Sequence, residues 1–139
     1  MKKSILKVSG FNESEGSVCF AISSQLSEIN ICLLFNKALT INLSLLKLTD
    51  VDRKGEILKF PVYFFESDEG IDKYYLFVNR IGMQYLIPGI KIDYLFLMQS
   101  EGNLVPAETK LTELKSEPGI IALHKLDAKN IRPVFKLIH

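Results

Sequence analysis

The chain has few of the side chains from which metal sites and nucleophiles are built. It contains two cysteines and two histidines among 139 residues. Cys19 and Cys32 are thirteen residues apart, and no short Cys or His spacing of the kind that clamps zinc is present. His124 lies in a predicted strand, where a structural histidine is commoner than a ligand. We therefore predict no metal ion and no cofactor.

Nucleophilic catalysis could be built in principle from Cys32 and His124. A catalytic thiol needs an accessible and electropositive setting. Cys32 instead stands between Ile31 and Leu33 in a strongly apolar segment. We expect both cysteines to be buried free thiols, and we predict no catalytic residue.

The chain also lacks an excess of charge of either sign. Seventeen basic residues face sixteen acidic ones, for a net charge of +1. This balance gives no electrostatic reason to expect nucleic acid or an anionic membrane as a partner. The eight glycines are scattered and match no phosphate-binding loop.

Long apolar runs are missing as well. The first residues, Met1 to Val8, begin with positive charge as a signal peptide does, but Lys7 interrupts the apolar part. No run approaches the length needed to span a bilayer. Two cysteines without an export signal fit a reducing compartment. We predict a cytoplasmic protein that forms a single domain over residues 1–139.

The longest apolar stretch runs from Tyr85 to Met98 and contains a Pro88-Gly89 turn dipeptide. From Ile90 onward its residues alternate, with a polar start and an apolar end on the second face. This pattern predicts a central strand that enters at the rim of a sheet. Asp93 should lie near that rim, as a solvated or turn-capping carboxylate.

This stretch also carries a resemblance to a known family. The residues Ile87-Pro88-Gly89-Ile90-Lys91-Ile92-Asp93-Tyr94 resemble the motif that names the IPExxxVDY family of small proteins from Bacteroidota. Gly89 stands where the motif has Glu, and the spacer is one residue short, so a role that depends on that Glu is not implied here. Three further stretches are similar to the family: Ile22-Ser23-Ser24, residues 34–39 and residues 118–123. The resemblance implies no particular activity, cofactor or catalytic residue.

The remaining periodicities predict an α+β fold. Val18 to Ile22 reads as a buried strand, and a helix from about Leu26 to Leu39 is apolar on more than one side. Residues 57–66 and 71–80 predict a hairpin, in which Pro61 indicates an edge or a bulge. Further predictions are an ambiguous connector at 41–52, a helix opening at Pro106, a strand at 120–126, a turn or helical start at 127–130, and a last strand or docked tail at 134–138.

This order predicts one antiparallel β-sheet with two main helices on one face. An elaborated ferredoxin-like (split β-α-β) arrangement would have the same order. Such a sheet leaves its second face bare, and a second copy of the chain is the commonest cover.

Two functions follow from these patterns. The first is a non-enzymatic protein with an interaction or regulatory role, which acts as a homodimer or binds another protein through the aromatic outer face of the hairpin. That interface would comprise Tyr63, Phe65, Tyr75 and Phe77. The alternative is a small-molecule-binding or catalytic domain. Its pocket would be lined by Asn36, Lys37, Tyr85, Pro88, Asp93 and Tyr94.

Overall fold

A computed structural model describes residues 16–138 of the chain. Its elements in chain order are β1 (Ser17–Ser24), α1 (Glu28–Leu39), β2 (Ser44–Arg53), β3 (Glu56–Glu66), β4 (Asp72–Val78), β5 (Arg80–Ile81), β6 (Gln84–Tyr85), β7 (Tyr94–Ser100), α2 (Val105–Thr112), a 3-10 turn (Glu113–Ser116), β8 (Ile120–Lys125) and α3 (Ala128–Phe135). Six strands form one sheet in the order β2-β3-β4-β7-β1-β8, and every neighbouring pair is antiparallel. The predicted α+β class is thus confirmed, whereas this strand order does not confirm a ferredoxin-like arrangement.

Two adjacent inner strands of the sheet, β7 and β1, are buried on both sides. Their registers place Phe20 opposite Phe96, and both rings are almost fully buried. A strand covered on both faces reads as a continuous apolar run, which is the pattern predicted for Val18 to Ile22. The second strand begins at Tyr94 rather than at Ile90. Residues 90–93 stay outside it because the carbonyls of Ile90 and Ile92 accept hydrogen bonds from a side chain described below.

One face of the sheet is covered by α1 and α2, as predicted. The side chain of Ser27 accepts a hydrogen bond from the backbone N–H of Asn30 and caps α1. This helix then buries Ile31, Cys32 and Phe35 against the sheet. We call this side of the sheet the helix face.

The opposite face is covered by the C-terminal part of the chain. The helical start predicted at 127–130 is confirmed, whereas the last strand predicted as one alternative for 134–138 is wrong, because α3 continues to Phe135. Residues 128–135 form α3, whose first turn is capped by the carboxylate of Asp127. Ile131, Val134 and Phe135 recur at helical spacing and are buried in the cluster on this face. Residues 86–92, which form neither helix nor strand, cross this side of the sheet like a strap and cover it together with α3. We call this side the strap face, and it is not bare, contrary to the prediction.

Strands β2 and β3 extend beyond the rest of the sheet as a two-stranded ribbon. The predicted hairpin is confirmed in β3 and β4, but β4 pairs with β3 only from Val62 to Glu66. Pro61 lies just outside that stretch, so among the described strands only β2 flanks it. This position suits a residue that cannot donate a ladder hydrogen bond. The connector predicted as ambiguous is β2 itself, a ten-residue strand at the border of the sheet.

Candidate functional site

The six residues of the predicted pocket do not meet. Asn36 and Lys37 belong to the last turns of α1, where the Asn36 side chain accepts the N–H of Leu43 and Lys37 is exposed. Asp93 and Tyr94 lie beside the beginning of α1. Asn36 follows the first residue of this helix by eight positions, which corresponds to a rise of about 12 Å, so the two groups lie near opposite ends of α1. Tyr85 and Pro88 precede them in the strap-face segment, with Tyr85 half-buried and Pro88 exposed.

Asp93 and Tyr94 hold the turn that connects β1 to α1. The carboxylate of Asp93 accepts the backbone N–H of Ser24 at 2.9 Å and lies 3.4 Å from the guanidinium of Arg80. The Tyr94 hydroxyl donates to the carbonyl of Leu26 at 2.7 Å. Burial, followed by the charges of Glu28 and Asp93, raises the pKa of Tyr94 to about 12, so the hydroxyl stays a donor. Both side chains are therefore engaged in structural hydrogen bonds.

The same turn is tied to the start of β8. The Ser24 hydroxyl donates to the carbonyl of Gly119 at 2.6 Å, and the N–H of Gln25 donates to that carbonyl at 3.3 Å. Gly119 has a φ of 95°, and a Cβ there would lie 2.8 Å from the Leu26 side chain. Three stretches that carried the family resemblance, at residues 22–24, 93–94 and 118–123, thus meet at one hydrogen-bonded junction.

Asn79 is the polar residue that sequence reasoning missed. It is fully buried at the end of β4. Its amide nitrogen donates to the carbonyls of Ile90 and Ile92 at 2.7 and 2.9 Å, and its amide oxygen accepts the N–H of Ile87 at 3.0 Å. Its backbone adds bonds to Leu86 and Asp93. A lone asparagine directly after an apolar strand was the available signal, since a buried amide must find partners.

Both cysteine thiols lie in the hydrophobic core. Cys19 and Cys32 are both free and buried, as predicted. They lie in the clusters on opposite faces of the sheet. Burial raises the pKa of each thiol to about 12, and the charge of Glu28 contributes to the rise at Cys32. Between residues 16 and 138, no three His, Cys, Asp or Glu side chains are grouped so that they could hold a metal ion.

The four aromatic residues of the predicted interface do not share one surface. Tyr63 pairs with Leu76 in the register of β3 and β4, which puts Tyr63 and Phe65 on the helix face. Tyr75 and Phe77 point to the strap face. Phe77 is fully buried, whereas the other three are half-buried. The exposed apolar surface must therefore be sought elsewhere.

Exposed apolar side chains gather on the ribbon, on the side that faces the same way as the helices. Cross-strand partners share a face, so the pairs Leu48 with Pro61, Asp50 with Lys59, and Asp52 with Ile57 lie together there. Leu48 is 47% exposed and Ile57 is 53% exposed. Leu45, opposite Tyr63, extends this surface toward α1. We call it the open ribbon face, and it comprises Leu45, Leu48, Asp50, Asp52, Ile57, Lys59 and Pro61.

The neighbouring side of α1 is also apolar and exposed. The helix approaches the ribbon through a hydrogen bond of 2.7 Å between the Tyr63 hydroxyl and Glu28, and through Asn36, which binds Leu43 just before β2. Because successive helical residues are rotated by about 100°, Ile29 and Leu33 follow that side outward, away from the core. They are 57% and 60% exposed. We call these two residues the α1 flank.

The charges on the open ribbon face are few and nearly balanced. Asp50 and Lys59 form an ion pair of 3.0 Å, with side chains that are 60% and 57% exposed. Asp52 accepts the N–H of Gly55 in the turn at the tip of the ribbon. An exposed ion pair contributes little to the stability of one chain. The surface is thus an apolar strip with one cation, Lys59, and one anion, Asp50, at its centre, and a second carboxylate, Asp52, toward its tip.

No helix in the described part of the chain is both long enough and apolar enough to cross a membrane. A comparison with protein-family models finds no matching family, and a comparison with curated proteins finds no match.

Proposed function

We propose that this protein is a non-enzymatic cytoplasmic protein that acts by self-association, and that two copies meet through the open ribbon face and the α1 flank. The observation that carries the proposal is the gathering of Leu45, Leu48, Ile57 and the α1 flank on one exposed side of the molecule. Contiguous exposed apolar surface marks interaction sites in folded proteins.

A second copy is the occupant that the charges favour. A two-fold interface brings a surface onto itself, so the surface must be self-complementary. One cation and one anion at the centre of an apolar strip satisfy this condition, because Asp50 of one copy can face Lys59 of the other. A strip with a large net charge would repel its own copy.

The non-enzymatic part of the proposal rests on the state of the reactive groups. Both thiols are buried with a pKa near 12, which leaves very little thiolate at neutral pH. The carboxylate of Asp93 is engaged by Ser24 and Arg80. A general acid or base needs access to a substrate proton, and these groups are engaged in holding the fold.

The test is sedimentation velocity at micromolar concentrations. We expect a dimer for the wild type. Leu48→Glu and Leu33→Glu should each weaken the dimer by at least about tenfold, because a buried unpaired carboxylate costs well over 1 kcal/mol. Ile121→Glu is the matched control, since Ile121 is 65% exposed and lies in β8 at the opposite border of the sheet.

Circular dichroism establishes that each variant is folded. A wild type that stays monomeric throughout the micromolar range would refute the proposal. So would a dimer that Ile121→Glu disrupts while Leu48→Glu and Leu33→Glu leave it intact.

A further inference from the structure

We propose that the two copies pack with their open ribbon faces against each other. The two-fold axis would lie between these two faces, parallel to the strands and centred over the gap between β2 and β3. This inference rests on the proposed self-association and specifies its geometry. Each copy would then place Asp50 against Lys59 of the other copy, and its α1 flank against the border of the other copy's β2.

The register within the ribbon determines what such an axis superimposes. Asp50 and Lys59 are direct cross-strand partners, as are Leu48 and Pro61. Rotation about a two-fold axis parallel to the strands places β2 of one copy over β3 of the other. It does not shift one copy relative to the other along the strand direction. Asp50 therefore meets Lys59 of the second copy, and Leu48 meets Pro61. Two inter-copy ion pairs add to the two intrachain ones, and the apolar residues beside them become covered.

An axis that runs across the strands gives a much poorer match. It would lay β2 on β2 and β3 on β3. The open ribbon face of β2 carries Asp50 and Asp52, whereas that of β3 carries Lys59. Carboxylates would face carboxylates and one lysine would face another, and like charges brought together at an interface cost several kcal/mol.

Pairing through the edge of the sheet is disfavoured by the shape of β2. Its register with β3 shifts between Leu45 and Lys47. A bulge of this kind, together with charged side chains along the strand, is how proteins prevent edge strands from pairing with one another. Packing face to face avoids this obstacle, since it does not use the outer hydrogen-bonding groups of β2.

The axis along the strands also accounts for the α1 flank. Packed sheets lie about 10 Å apart, and the axis of a helix packed on a sheet lies at about the same distance from that sheet. The ribbon of the second copy would therefore stand at the level of α1, with its β2 on the side nearer the helix. Ile29 and Leu33 face that side. Leu46, which is 50% exposed at the bulge, would bring an apolar side chain to the same contact.

The decisive experiment exchanges the two charges. Lys59→Asp alone should weaken self-association about tenfold or more, because the open ribbon face then carries three carboxylates and no lysine to face those of the second copy. The double variant D50K/K59D restores both intrachain and inter-copy pairs and should self-associate within about threefold of the wild type. Circular dichroism again confirms that the variants are folded.

Mixing the two chains separates this geometry from self-association in general. When wild type and D50K/K59D are combined, mixed dimers would bring Asp50 against the new Asp at position 59. Native mass spectrometry should therefore show two homodimers and few heterodimers, with more heterodimer as the salt concentration rises. Heterodimers in statistical proportion at low salt would overturn the geometry while self-association stands. A wild type that is monomeric overturns both.

Discussion

The two sides of β3 show what it takes to cover an apolar strand. On the strap face, Phe60 and Val62 are buried in a cluster with Leu86 and Ile87. On the other side of the same strand, Ile57 and Lys59 are exposed. The difference lies in the cover, because residues 86–92 are fixed by the side chain of Asn79, whereas no described segment of this copy lies over the open ribbon face. An apolar surface that the chain leaves uncovered in this way is the place where a partner would be bound.

The largest effect should come from removing the side chain that fixes the cover. Asn79→Ala leaves the N–H of Ile87 and the carbonyls of Ile90 and Ile92 without their partner. Buried groups that lose a hydrogen bond cost about 1–3 kcal/mol each. We expect the free energy of unfolding to fall by about 4 kcal/mol, as measured by urea denaturation.

The control for this variant is Asn42→Ala, which removes the same side chain at an exposed position. It should change the free energy of unfolding by less than about 0.5 kcal/mol. Equal stability of the Asn79→Ala and Asn42→Ala proteins would show that residues 86–92 are held by packing alone, and the contrast between the two sides of β3 would lose its explanation.

Two glycines test the contrast between covered and open regions at the backbone. Gly119 and Gly55 have similar positive φ values of 95° and 88°. A Cβ at Gly119 would lie 2.8 Å from Leu26, whereas one at Gly55, near the ribbon tip, would meet nothing within 4 Å. We expect Gly55→Ala to cost about 1 kcal/mol from conformation alone, and Gly119→Ala to cost about 3 kcal/mol. Thermal unfolding of the two variants measures the difference, and equal costs would contradict it.

The sequence was informative wherever one local pattern decided the structure. Alternation in 57–66 predicted β3, the apolar periodicity of residues 26–39 predicted α1 to within two residues, and Pro61 marked the part of β3 that β4 does not reach. It failed on the extent of α3, because only a helical start at 127–130 was predicted, whereas the helix continues through Pro133 to Phe135. The apolar faces that α3 and residues 86–92 cover were therefore assigned to a partner.

The candidate site could not be predicted from the sequence, because it depends on register. A shift of one residue in pairing moves a side chain to the other face, and the predicted interface combined Tyr63 and Phe65 with residues that point the opposite way, Tyr75 and Phe77. Asp93 was predicted as a solvated or turn-capping carboxylate, and of these two alternatives the second holds, since it accepts a turn N–H. The resemblance to the IPExxxVDY family stays a prediction.

Alkaline pH should weaken the covered core. The pKa of the Cys19 thiol rises from 9.0 to about 12 on burial, so the unfolded chain loses this proton at a lower pH than the folded one. The stability associated with the neutral thiol is fully present below pH 9 and is lost as the pH rises toward 12. We expect the free energy of unfolding to decrease between about pH 9 and about pH 12.

Cys19→Val identifies the share of this thiol in the pH dependence. The variant should lose less stability than the wild type over the same pH range. Part of the pH dependence should remain, because the pKa values of Cys32 and Tyr94 are also raised to about 12. Identical pH profiles for a folded Cys19→Val protein and the wild type would rule out ionisation of Cys19 as a cause.

The smallest effect should appear where the covered core meets the open ribbon. Tyr63→Phe removes only the hydroxyl that donates to Glu28 at 2.7 Å, and it keeps the half-buried ring. A hydrogen bond to a charged group contributes about 1–2 kcal/mol, and partial exposure brings the expected loss in the free energy of unfolding to about 1 kcal/mol. The bond joins α1 to β3, so its loss should also loosen the α1 flank and weaken the proposed dimer more than Tyr75→Phe does on the strap face. If sedimentation shows the same dissociation constant for the two variants, the α1 flank takes no part in the contact, and the open ribbon face alone would have to bind the second copy.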